Sequence, residues 1–107
     1  MESEPYEILR YRIINQRAKN WEDEGFKVKA NIGGWDRPSS VEGLLPDLVG
    51  VRGDNIRVGC FEIGEDADID TTRWDKLTGY YLKNKNASLR LFTVSRDGVC
   101  SLKKITP

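Results

Sequence analysis

Apolar residues recur early in the chain at helical spacing. Tyr6, Leu9, Ile13, Ile14, Ala18 and Trp21 fall on one broad face when residues advance by about 100° each. Ser3 is placed to cap this helix, with Pro5 in its first turn, and Gly25 follows a predicted end at Asp23 or Glu24. Arg10 and Arg17 lie within the apolar face. Each either carries its aliphatic stem past the core to water or looks into a site. From Phe26 to Ile32 the period changes to two: Phe26, Val28, Ala30 and Ile32 alternate with Lys27, Lys29 and Asn31, the pattern of a half-buried strand.

A loop rich in Gly, Pro and Ser then runs over residues 33–43. Two strands follow, Leu45–Arg52 and Ile56–Ile63, joined at Gly53-Asp54-Asn55. Asp70 or Thr71 caps a second helix reaching Asn84, with Trp74, Leu77, Thr78 and Tyr81 on its inner face. Leu89–Ser95 reads as a strand, Arg96-Asp97-Gly98 as a turn and Val99–Ile105 as a last, edge strand. The order α-β-β-β-α-β-β predicts a single α/β domain with a mixed central sheet flanked by helices.

The central hairpin carries the candidate chemistry. With a two-residue turn at Asp54-Asn55, Asp47 falls opposite Glu62, Val49 opposite Cys60 and Val51 opposite Val58. The other face pairs Leu48 with Phe61, Gly50 with Gly59 and Arg52 with Arg57. Two carboxylates directly across a sheet repel, and a shared proton or a shared cation would relieve them. Mg²⁺ or Mn²⁺ suits oxygen ligands of this kind. The plainer alternative has Asp47 capping a bend after Pro46 and Glu62 marking the strand's exit to solvent. The glycine pair admits something close to the backbone, either a packed helix or a nucleic-acid backbone.

Composition narrows the chemistry. The 107 residues fit one domain, and 17 basic side chains balance 17 acidic ones. That balance argues against binding a polyanion by bulk charge, so any nucleic-acid contact has to come from a local basic patch. With no histidine in the chain, Ser-His-Asp and Cys-His catalysis and most zinc sites are excluded. Cys60 and Cys100 lie in apolar stretches and read as buried free thiols of a reducing compartment. There is no apolar run long enough to cross a bilayer, and Met-Glu-Ser-Glu-Pro does not resemble a signal peptide. A cytoplasmic protein without a membrane partner is expected. Asp66-Ala67-Asp68-Ile69-Asp70 starts like a calcium loop, but Thr71 and Leu77 stand where that loop needs glycine and a bidentate acid.

Pro46-Asp47, then a hairpin, then Glu62-Ile63-Gly64, preceded by a helix and a strand, resembles the restriction-endonuclease-like PD-(D/E)XK superfamily. The likeness covers the α-β-β-β-α-β order, most of the chain. It implies Asp47 and Glu62 as ligands of Mg²⁺ or Mn²⁺, and phosphodiester hydrolysis of DNA. The family's lysine position holds Gly64. Some members move the basic group to a neighbouring element, which makes Lys76, four before Tyr80 on the second helix, or Lys29 the candidate replacement. Glu7 is the nearest match to an acid on the family's first helix. Arg73, one turn before Lys76, and Tyr80 join the candidate nucleic-acid contacts. So do Trp35 and Arg37, although Trp35 either stacks on an unpaired base or folds back over the apolar face. A chain this short implies a homodimer or a larger DNA-processing complex. The alternative is a degenerate domain of the same fold that binds nucleic acid or a protein partner without cleaving. A third possibility is an unrelated α/β interaction domain.

Overall fold

A computed structural model describes residues 6–41, 43–64, 71–83 and 86–106. Its elements are α1 (Tyr6–Asp23), β1 (Lys27–Ala30), β2 (Leu48–Arg52), β3 (Asn55–Ile63), α2 (Thr72–Tyr81), β4 (Ala87–Val94) and β5 (Cys100–Thr106). The five strands form one sheet in the order β1-β2-β3-β4-β5, antiparallel throughout except for the parallel pair β3 and β4. The expected succession of elements and the mixed sheet are both present. Ser3, Pro5 and Asp66–Asp70 lie outside the described residues. Among the described residues no helix is long and apolar enough to cross a membrane.

The helices take opposite faces. Leu9, Ile14, Ala18 and Trp21 of α1 are buried against Ala30, Leu48, Phe61, Phe92 and Val94. Trp74 and Leu77 of α2 are buried with Val58, Cys60, Leu89 and Leu91. Alternate residues of β3 serve the two clusters, and its middle, from Val58 to Phe61, is apolar and buried on both faces. Trp21 lies over Gly50 and Gly59: a Cβ at either glycine would come within 3.1 and 3.3 Å of the indole, respectively. The guest that these glycines admit is the packed helix.

Three expectations need correction. The hairpin turn is Gly53-Asp54, not Asp54-Asn55, because Arg52 pairs with Asn55 and Gly53 takes the left-handed conformation (φ 61°) that this tight turn favours. Val49 therefore pairs with Val58 and Gly50 with Arg57, so Asp47 is not opposite Glu62. The slip is by two residues, and side-chain period two keeps every residue on its expected face. β2 begins at Leu48, after Pro46, whose ring nitrogen cannot donate to a ladder. α2 ends at Tyr81, short of Asn84.

Candidate functional site

Asp47 stands where the chain leaves Pro46 and turns into β2. Among the described residues it is the one carboxylate that is fully buried. Its backbone carbonyl accepts the Asn31 N–H (2.9 Å), which ties the end of β1 to this point. Its Oδ2 accepts the backbone N–H of Phe61 on β3 at 2.7 Å. From the first helical layer, Arg10 Nη2 donates to Oδ1 (2.6 Å) while Nη1 reaches the Asn31 carbonyl (3.1 Å). From the second layer, Arg73 in the first turn of α2 grips the carboxylate with both Nη atoms, Nη1 to Oδ1 (3.2 Å) and Nη2 to Oδ2 (2.7 Å). Nη2 also reaches Glu62 Oε1 (2.9 Å) and the Phe61 carbonyl (3.2 Å).

The two acids are thus neighbours without being cross-strand partners, and the cation between them is a guanidinium. A carboxylate has about four lone-pair directions. At Asp47 all are engaged, two on each oxygen. The forked grip of Arg73 matches the planar carboxylate, a fit that a lysine ammonium cannot make. Burial works against the charge on Arg73, but the charge and hydrogen bonds of Asp47, with Glu62 behind it, outweigh that and raise its pKa. The Cys60 thiol beside them is pushed up to about 12 by burial, against the pull of Arg73 and with the help of both acids. It stays a neutral thiol and is no nucleophile. A recess of about 410 Å³ opens beside the cluster, lined by Arg10, Phe61, Glu62, Ile63 and Arg73.

Among the described residues no group of three or more cysteine, aspartate or glutamate side chains comes together to hold a metal ion. A divalent ion seeking Asp47 would find its lone pairs filled, and would have to displace an arginine to enter. Gly64, two residues beyond Glu62, has a φ of 144°, and a Cβ added there would meet nothing within 4 Å. The described residues, as arranged here, leave Asp47 no open lone pair for Mg²⁺ or Mn²⁺.

The other candidates lie apart. Lys76 is exposed and makes no ion pair among the described residues; the basic group that α2 brings to the acids is Arg73. Trp35 folds back against the α1 cluster, its indole N–H on Asn15 Oδ1 at 2.9 Å. Arg37 is exposed and donates to Asn31 Oδ1 (2.7 Å). Glu7 is exposed on α1. Tyr80 is also exposed, and with Lys29 it lines a separate, larger groove. Arg10 takes the site-facing option left open for it, whereas Arg17 lies over the Phe92 ring, 5.0 Å from its centroid. Its place inside the apolar stripe was the one signal that marked Arg10. A comparison with protein-family models and with curated protein sequences finds no match.

Proposed function

We propose that this domain is a non-hydrolytic, nucleic-acid-binding relative of the PD-(D/E)XK fold, in which the acid pair has become an arginine-clamped structural hub. The observation that carries this reading is the filled carboxylate. Four donors from three elements converge on Asp47, and Arg73 links it to Glu62. Such a centre joins α1, the hairpin and α2, and among the described residues it leaves no lone pair of Asp47 free to hold a metal ion. Gly64 removes the group that would activate a water. The element order on which the resemblance rests supports the fold assignment.

A second reading, metal-dependent hydrolysis with Asp47 and Glu62 holding Mg²⁺ or Mn²⁺, is favoured by one fact: a single nitrogen lies within hydrogen-bond reach of both acids. A cation is accommodated there. The two readings separate in one experiment. The full chain is mixed with labelled single- and double-stranded DNA, in EDTA and then in Mn²⁺. Retarded complexes in EDTA and intact DNA after Mn²⁺ are expected. Cleavage in Mn²⁺ that disappears in a folded Asp47→Asn variant would establish the hydrolytic reading instead. An absence of any complex with either DNA form would remove nucleic-acid binding.

A further inference from the structure

α2 shelters only part of its face of the sheet. Towards β1 and β2 that face is open, and a groove of about 790 Å³ lies there. Its floor includes Val49, Val51 and Ile56, apolar residues from neighbouring strands. One wall is the 36–41 loop, held in place where Asp36 accepts the Ala30 N–H (2.8 Å) and where Val41 exchanges hydrogen bonds with Leu44 (2.7 and 2.9 Å). The opposite wall is the last turn of α2 with Tyr80 and Tyr81. The hub lies away from it, because Arg73 and Tyr80 are about 10 Å apart along α2 at 1.5 Å per residue.

Charge distinguishes this groove. Among the described residues, Lys27, Lys29 and Lys83 stand around it, faced by the acid Asp36. None of the three lysines makes an ion pair among the described residues, in contrast to the neutralised arginines of the hub. Lys27 and Lys29 are alternate residues of β1, on the same side of the strand as the floor residues Val51 and Val49 opposite them. Alternate residues lie about 7 Å apart, which makes a row of positive charge and not a point. Beside that row, Tyr80 is half exposed, and Tyr81 meets it edge to face with centroids 5.1 Å apart. The Tyr80 ring is therefore held in a fixed attitude with surface to spare.

We infer that this groove binds single-stranded nucleic acid, with Lys27, Lys29 and Lys83 following the phosphates and Tyr80 stacking on a base placed over the valine floor. Positive grooves with aromatic platforms are how proteins hold unpaired strands. A duplex keeps its base faces inside the stack and cannot offer one to Tyr80. A fatty acid would bring one negative charge to three cations. This inference rests on the nucleic-acid-binding reading above and names the strand form and the contact surface.

The test is fluorescence anisotropy with the full chain in EDTA, using a labelled thymidine oligomer of about ten nucleotides, within the usual footprint of such sites. A duplex containing the same strand and free thymidine monophosphate serve as competitors. Lys27→Glu with Lys29→Glu is expected to weaken binding at least tenfold. Tyr80→Ala is expected to weaken it about tenfold, the usual scale of one stacked base, while Tyr80→Trp retains it. Lys104→Glu, on the far edge strand β5, leaves it within about twofold, since one remote charge adds little through salt. Circular dichroism confirms the fold of each variant. The oligomer should outcompete both the duplex and the mononucleotide; preference for the mononucleotide would make this a free-nucleotide site and overturn the inference. Undiminished DNA binding in the lysine and tyrosine variants, or tighter binding of duplex, would overturn the groove and leave the non-hydrolytic reading standing. Failure to bind either strand form would overturn the groove together with the nucleic-acid binding on which it rests.

Discussion

Asp47 has no exposed surface, and its partners Arg10 and Arg73 keep 31% and 26% of their side-chain surface in contact with solvent. The cost of dismantling the hub is therefore unequal. Removing the carboxylate orphans the Phe61 N–H and leaves two guanidiniums pointing at a void, a buried pair broken from its inner side. Asp47→Ala is expected to destabilise the fold by about 3–5 kcal/mol in urea denaturation. Arg10→Met keeps the aliphatic stem and leaves Arg73 in place, so a loss of about 1.5–3 kcal/mol is expected, that of a hydrogen bond to a charged group. A cost below about 1 kcal/mol for Asp47→Ala, less than one unsatisfied buried group, would mean that the carboxylate does not organise the three elements. The sequence makes a cation beside these acids legible, since two neighbouring carboxylates call for one. It does not say which cation. Arg73 and Lys76 share a side of α2, and the choice between them depends on how far the first turn of that helix sits from the end of β3. That distance is set by the docking of α2, which residue periodicity does not encode.

The hairpin and the helix above it show the same division between what a local pattern carries and what packing adds. Alternation along β2 and β3 assigns each residue to a face, and those assignments hold because a two-residue slip preserves them. The register itself turns on which of Gly53, Asp54 and Asn55 enters the bend first, and glycine's tolerance of positive φ decides it. Gly50 is legible as a point of close approach, and its neighbour is now specific. A Cβ there would lie 3.1 Å from both the Trp21 and the Phe26 rings, each buried and unable to yield. Gly50→Ala is expected to cost about 1–3 kcal/mol by overpacking. Gly79 is the contrasting case, an exposed glycine inside α2 where an added methyl would meet nothing within 4 Å. Gly79→Ala is expected to stabilise by about 0.5–1 kcal/mol, the usual difference in helix propensity. Thermal unfolding of the two variants, measured side by side, checks both signs. A midpoint that rises for Gly50→Ala would show that α1 does not press on the sheet as described.

Over the whole molecule the formal charge is zero, yet positive charge is not evenly neutralised. Arg10 and Arg73 are absorbed by Asp47 and Glu62, and Arg57 by Glu24 (3.1 Å). Arg17 and Arg52 lie over aromatic rings. What remains without an ion-pair partner around a concave surface, among the described residues, is the group of Lys27, Lys29 and Lys83. That is the local basic patch that a balanced composition requires of a nucleic-acid binder. The patch is not legible in the sequence, because its members come from β1 and from the turn after α2, and only the folded sheet brings them to one rim. Its contribution can be counted. Each phosphate neutralised on a single strand releases condensed counterions, so the logarithm of affinity falls against the logarithm of salt with a slope of roughly −0.7 per contact. Three lysines predict a slope of about −2 for the thymidine oligomer, and Lys27→Ala with Lys29→Ala predicts about −0.7. Titrations at several salt concentrations measure both. A slope near zero in the native protein would assign the affinity to the apolar floor alone. An unchanged slope in the double variant would place the phosphates on some other part of the surface. The slope also separates the hub from the groove, since Arg10 and Arg73 already have anionic partners within the fold and would neutralise fewer phosphates on meeting a strand.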